Sequence, residues 1–314
     1  MPALHPQIER VLKIIADSGQ KPIESLTPAA ARTQMEETAR SRKAEPLPTA
    51  RIENRTIPGL AGPIPVRFYW PNASGTLPAI AYYHGGGHVI GSLDTHDLIA
   101  RNLCSLSEAV VMSVDYRMGP EDKFPAAVDD SFAALQWLHA NAASLGADPQ
   151  RLGVHGDSAG ANLAAVVALM ARDAGGLALR LQSLVYPIAD YGLVTDSFTK
   201  YATGYGVLTR EAMVWFQGHY LRSPADAEDW RASPIKAKSL AGVAPAVIVT
   251  AECDVLHDDG EHYAEALRRA GVAVEYREFP GMIHAFFGMV PAVDDALNAQ
   301  RLVATAFRRA FEQG

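Results

Sequence analysis

Cysteine is scarce: Cys104 and Cys253 are the only two in 314 residues, and they lie far apart. They match no metal-ligand spacing and cannot found a disulfide scaffold. Both read as small buried apolar side chains, and a reducing compartment suits them. Positive charge is in deficit, with Lys+Arg 28 against Asp+Glu 35 and a net charge of -7. Long-range attraction to nucleic acid or an anionic membrane is thereby disfavoured. No apolar run approaches the length of a membrane span. The opening Met1-Pro2-Ala3-Leu4-His5-Pro6 has no basic segment followed by an apolar core, so the expectation is no signal peptide and a cytoplasmic place. Internal repeats and low-complexity tracts are also missing. What remains is an ordinary globular composition, 48% hydrophobic and 20% charged. The length suits one large α/β domain with an attachment, or two domains.

Against this background one stretch stands out: Gly156-Asp157-Ser158-Ala159-Gly160. Leu152-Gly153-Val154-His155 before it reads as a short buried strand, and residues 161–172 after it are rich in helix formers. A serine on a sharp strand-to-helix turn is forced into strained backbone angles, and flanking glycines leave room for that. Its hydroxyl is pushed out of the sheet, above the positive end of the following helix. Without this context Gly-x-Ser-x-Gly would be only a turn that contains a serine.

The rest of the chain supplies the frame. Residues 7–18 carry a helical apolar stripe, and a second helix is expected around Ala29 to Arg42. Strands are predicted at Arg51 to Ile57, Pro65 to Tyr69, Pro78 to Tyr83, Ala109 to Asp115, Gln182 to Tyr186, Ala246 to Thr250 and Ala273 to Phe279. Helices are predicted near 94–106, 126–143, 259–270 and 293–311. The first two strands, joined by a Gly/Pro turn, suggest an antiparallel edge. The later alternation of strand and helix implies a mostly parallel sheet covered on both faces. Alternation breaks from Pro187 to about Ala232, which reads as an insertion over the sheet. Thr209 is its plausible helix N-cap.

In such sheets ligands bind beyond the carboxyl ends of the strands, so chemistry should come from loops just after them. Three consecutive glycines, Gly85, Gly86 and Gly87, follow the third predicted strand. They cost backbone entropy and make sense where N–H groups must approach a ligand. With the N–H of Ala159 they would receive a developing oxyanion. In the loop Glu252-Cys253-Asp254 an acid could reach a histidine, and Glu252, Asp254 and Asp258 compete for that role. Asp258 or Asp259 could instead cap the next helix. Past the last strand, in a loop opened by Pro280-Gly281, stands His284. His84 and His88 are its rivals, but an orienting role is expected for them in the glycine loop, and a buried structural one for His155. Taken as Ser158, Asp254, His284, the chain order is that of α/β-hydrolases. A serine hydroxyl is a weak nucleophile and needs a base in reach; the acid then holds the base's tautomer. Nothing in the pattern asks for a cofactor or a metal.

The chain resembles the hormone-sensitive-lipase-like family of α/β-hydrolases, the bacterial carboxylesterases in particular. The likeness runs from about Arg51 onward. It rests on His84-Gly85-Gly86-Gly87, Asp115-Tyr116-Arg117-Met118-Gly119-Pro120-Glu121, Phe124-Pro125-Ala126-Ala127, Gly156-Asp157-Ser158-Ala159-Gly160, Asp254-Val255-Leu256-His257-Asp258 and Gly281-Met282-Ile283-His284-Ala285-Phe286. It implies an eight-stranded, mostly parallel sheet with helices on both faces and a helical cap. By that likeness residues 1–45 and 188–225 are cap, and 46–187 and 226–314 are core. It further implies a serine carboxylesterase acting on small-molecule esters of short to medium acyl chain, and often a homodimer joined through a sheet edge and the last helix. An amidase, lactonase or lipase would use the same triad; a non-catalytic receptor is disfavoured because His284 is present. Met118-Gly119, Ala161 and Val255 depart from the family's usual Leu-Ala, glycine and proline, which bears on pocket shape. Tyr201, Tyr205, Trp215 and Phe216 are candidate pocket walls or packing within the cap.

Overall fold

The computed structural model describes residues 2–42 and 44–313; Met1 and Lys43 of the expected cap, and Gly314 of the expected core, lie outside them. Strands β1 (Arg51–Pro58), β2 (Pro63–Trp70), β3 (Leu77–Tyr83), β4 (Val110–Val114), β5 (Ala147–Asp157), β6 (Leu179–Val185), β7 (Ala246–Cys253) and β8 (Val274–Ile283) form one eight-stranded sheet. Its order is β1-β2-β4-β3-β5-β6-β7-β8. β2 pairs antiparallel with both β1 and β4, and the remaining pairings are parallel. Every residue of β3 and β4 is buried, as expected of parallel strands covered on both faces.

The covering helices are α3 (Asp97–Ser107), α4 (Ala126–Asn141), α5 (Ala159–Ala174), α8 (His257–Arg269) and α9 (Asp294–Glu312). α3 packs on α9, and α4 packs on α5. β5 shows how the two faces divide. His155 meets Phe307 of α9, and a side chain at Gly153 would run into that same ring. A side chain at Gly156, on the opposite face, would collide with the backbone of Gly160 in α5.

Three strands run further than their sequence suggests. β5 starts at Ala147, β7 reaches Cys253 and β8 reaches Ile283. Register shifts absorb the irregular residues, between Leu152 and Gly153 in β5 and between Ala251 and Cys253 in β7. Pro280-Gly281 therefore lies inside β8 rather than opening a loop. The outcome matters for the site: Cys253 pairs with Ile283, so Asp254 and His284 leave two adjacent parallel strands side by side.

Over the carboxyl ends of the strands lie α1 (Pro6–Asp17) and α2 (Pro28–Ser41), then α6 (Asp196–Lys200) and α7 (Arg210–Tyr220) from the segment between β6 and β7. Proline at the start of α1 and of α2 pre-sets the helical φ, and Thr27 and Thr209 cap α2 and α7 through their side chains. α1 is tied to the core by His5 N–H donating to the Gly281 carbonyl (3.0 Å) and Asp294 N–H donating to Gln7 Oε1 (3.0 Å). From α2, Arg32 donates to the Val89 and Gly119 carbonyls (both 2.8 Å) and pairs with Glu121. Asn162 of α5 donates to the Ile188 and Ala232 carbonyls, fastening both ends of the insertion to the helix behind Ser158. Among the described residues no helix is long and apolar enough to cross a membrane.

Candidate functional site

Ser158 stands between β5 and α5 with φ 55 and ψ -121, a conformation that L-residues rarely adopt. The flanking glycines make the turn possible. A Cβ at Gly156 would strike the backbone of Gly160, and one at Gly160 would strike the Tyr83 and His84 carbonyls at the end of β3. The Ser158 N–H donates to the Val185 carbonyl (2.8 Å), which pins the turn to β6.

His284 and Asp254 meet this serine. His284 Nε2 lies 2.9 Å from Ser158 Oγ, and His284 Nδ1 lies 2.7 Å from Asp254 Oδ2. The other carboxylate oxygen accepts from the Leu256 N–H (3.0 Å). With a carboxylate accepting at Nδ1, the ring proton belongs on that nitrogen, and Nε2 is free to accept from the hydroxyl. The Tyr186 ring, its centroid 4.5 Å from that of His284, backs the imidazole. Ser158, Asp254 and His284 are all buried.

The competing acids have other partners. Glu252 accepts from the Gly281 N–H (2.7 Å). Asp258 accepts from the Ser197 N–H (2.7 Å) and Asp259 from those of Ala189 and Asp190 (both 2.9 Å). The capping role considered for the last two is therefore corrected. α8 is preceded by Leu256 with no side-chain cap, and its first-turn acids hold the insertion. His257 bridges Asp258 and Glu278.

The glycine loop lies close by. Gly86 and Gly87 have φ 119 and 61, and among the described residues their N–H groups find no acceptor. Side chains are barred on several sides: at Gly85 by Asp157, at Gly86 by the Ile90 carbonyl and at Gly87 by Phe216 of α7. His84 braces the loop. Its Nδ1 contacts the Gly85 carbonyl (2.8 Å), its ring stacks on Tyr116, and its own carbonyl accepts from the Tyr116 hydroxyl (2.7 Å). His88 stacks on Tyr220 of α7 with centroids 3.9 Å apart, and neither ring nitrogen has a partner among the described residues. His155 is buried against Ser183. Burial pulls the pKa of His84 and of His88 down to about 3 and that of His155 to about 4, so all three are neutral at pH 7.

Two features of the site escaped the reading of the sequence. Asp157 is one: it lies within the serine motif, yet its role was not assigned. Its Oδ1 accepts from the Tyr82 hydroxyl (2.8 Å), and its Oδ2 faces His96 Nε2 (3.6 Å) beneath Gly85. Burial pushes its pKa up, but His96 and the Tyr82 hydroxyl outweigh that and hold it at about 2. A carboxylate at the end of an apolar strand was the available signal. The second is the seating of α7. A side chain at Gly119 would run into the His219 carbonyl, so glycine in place of the family's alanine lets α7 come close. Of the four aromatics considered as walls, Phe216 touches the glycine loop, Trp215 meets His219 edge-on (centroids 4.4 Å apart), Tyr201 is buried and Tyr205 packs half-buried against the core.

The model of the α/β hydrolase fold family matches residues 80–288. The chain belongs to that family. This α/β-hydrolase is 42% identical to the carboxylesterase NlhH of Mycobacterium tuberculosis over 98% of its own length and 97% of that protein. It is 36% identical to the ethyl acetate hydrolase of Pseudomonas putida over 98% and 99% of the two chains. A 45% identical stretch of the carboxylic ester hydrolase LipN of M. tuberculosis spans 76% of this chain and 65% of that protein. The hyperthermophilic esterase of Pyrobaculum calidifontis superposes with a TM-score of 0.92 at 40% identity, covering 98% and 99% of the two chains. NlhH, LipN and the ethyl acetate hydrolase are of the hormone-sensitive-lipase-like bacterial type that the motifs implied.

Proposed function

We propose that this α/β-hydrolase is a serine carboxylesterase that cleaves small esters of short to medium acyl chain. The observation that carries the reading is the 2.9 Å approach of His284 Nε2 to Ser158 Oγ, with Asp254 behind the imidazole. His284 takes the hydroxyl proton as Oγ attacks the ester carbonyl. The tetrahedral oxyanion accepts from N–H groups of the loop Gly85, Gly86 and Gly87 and from Ala159, at the N-terminus of α5. Collapse of that intermediate expels the alcohol, which receives the proton from His284. Water then attacks the acyl-enzyme by the same route, and the carboxylic acid leaves.

Residues 1–45 and 188–225 are the proposed cap over this chemistry, and 46–187 with 226–314 the core. The contact between Phe216 and Gly87 supports a preference for shorter chains, because α7 lies directly on the loop that would hold the carbonyl. A cytoplasmic place is supported by two buried, unpaired cysteines. Pairing of two copies through the β8 edge and α9 belongs to the same proposal.

The test is hydrolysis of a p-nitrophenyl ester series from acetate to laurate. Rates should fall beyond medium chains, and Ser158→Ala should lower kcat by about 10⁶-fold. Undiminished turnover in that variant would refute the assignment.

A further inference from the structure

Asp157 immediately precedes Ser158, and its carboxylate is folded back beneath the glycine loop. A side chain at Gly85 would come to 2.5 Å of Asp157 Oδ2. The group is buried. Its Oδ1 accepts from the Tyr82 hydroxyl (2.8 Å), whereas Oδ2 has no comparable donor among the described residues and faces His96 Nε2 at 3.6 Å. The loop above is the one proposed to receive the oxyanion. A bare carboxylate under it would repel the negative charge that develops there, and a buried site screens such repulsion poorly.

His96 is placed to cancel that charge. It is itself buried, just before α3, with its ring stacked on His84 (centroids 5.2 Å apart). The hydrogen bonds around it decide where its protons lie. Thr95 Oγ1 accepts from the Ser92 N–H (2.8 Å) and donates its single hydrogen to the Ser92 carbonyl (3.0 Å). His96 Nδ1 lies 2.8 Å from the same oxygen, so the ring nitrogen is the donor. At the other nitrogen, a lone pair would point at a carboxylate oxygen, whereas a proton makes the contact attractive. Both nitrogens then carry hydrogen, and the ring is an imidazolium. A cation at the start of a helix works against the helix dipole, and Asp157 offsets that as well.

We propose that His96 is a positioning residue that acts as an imidazolium through Asp157, neutralising the carboxylate so that it supports Gly85 from beneath without opposing the oxyanion. The proposal rests on the serine esterase reading and adds a residue to its machinery.

The test uses the full-length protein and p-nitrophenyl butyrate, with active sites titrated by a fluorophosphonate. His96→Gln should lower kcat about tenfold and leave KM within about twofold, because the oxyanion exists only beyond the ground state. Adding Asp157→Asn to that variant removes the unpaired charge, so the double variant should regain most of the lost kcat. A double variant no faster than His96→Gln, or a His96→Gln as fast as the wild type, would overturn the proposal. Should His96→Gln fail to fold, long-range 1H–15N spectra of the wild type and Asp157→Asn at pH 7 give the answer. One imidazole should be doubly protonated in the wild type and neutral in Asp157→Asn, where an amide can donate to Nε2; no such change would overturn the proposal. If the wild type cleaves no p-nitrophenyl ester, the esterase reading itself has failed.

Discussion

Ser158, Asp254 and His284 follow strands whose last residues, Asp157, Cys253 and Ile283, are buried, whereas α1 and α2 bury only Ile8 and Ala31 between them. The first region is held by sheet register, by glycines that admit no side chain and by a brace of buried rings. The second is held by a handful of hydrogen bonds and the Arg32–Glu121 pair. The contrast separates two tasks. Proton transfer needs groups fixed to a fraction of an ångström, and only a packed sheet holds them so. Admitting different esters needs walls that can change without disturbing that geometry, and lightly fastened helices would suit this in the proposed cap.

After the loss expected for Ser158→Ala, the next largest effect strikes the chemistry of the first region alone. Asp254→Asn should lower kcat by about 10⁴-fold while the melting temperature stays near that of the wild type, because the imidazole loses its tautomer and its counter-charge. A small loss would mean that the acid only holds the Leu256 N–H.

Next comes the packing beneath the turn. Gly160→Ala drives a methyl into the Tyr83 carbonyl, which cannot move without breaking the sheet. A loss of several kcal/mol of stability, or insoluble protein, is expected; a soluble variant within about 1 kcal/mol of wild type in urea would show that the strand ends can shift.

Acid separates the regions by a third route. His84, His88 and His155 all lie in or against the core and resist protonation when folded. Between about pH 6 and pH 4 the unfolded chain takes up those three protons and the folded one does not, so stability falls as pH falls. Asp259 acts in the opposite sense. Burial raises its pKa to about 7, so it stays protonated when folded where the unfolded chain ionises. Two net protons remain, each worth about 1.4 kcal/mol per pH unit at most. Thermal melts should decline steeply over that range, and His88→Phe should flatten the decline. A flat profile in the wild type would contradict the burial of these rings.

The smallest effect belongs to the outer surface. Ile14 on α1 is 67% exposed. Ile14→Ser should change stability by no more than about 0.5 kcal/mol and leave ester kinetics untouched. A large change would mean that α1 is held far more firmly than its few contacts suggest.

Much of the core was legible in order of sequence. Apolar runs and the Gly/Pro turn between the first two marked the strands, and the Gly-x-Ser-x-Gly context marked the turn. Position after a strand singled out His284 from ten histidines. Strand ends were the weak point. Pro280-Gly281 looks like a loop opening, because local propensity does not register the shift in β7 that lets β8 continue to Ile283. Asp258 and Asp259 look like caps for a similar reason, since their true partners, Ser197, Ala189 and Asp190, lie some sixty to seventy residues away. The fit of α7 against Gly87 and Gly119 left no trace in local pattern, because a glycine's use as a contact point depends on what approaches it.

The sequence by itself determined the hydrolase frame, the candidate serine and base, the loop that supplies the acid, and the order in which they occur, because these follow from local pattern and from short motifs with a mechanical reason. Only the tertiary structure decided which acid meets His284, how Asp157 lies under the glycine loop, and how α7 seats against Gly87 and Gly119. Those outcomes depend on strand register and on close approach between distant segments, and no window along the chain contains both partners.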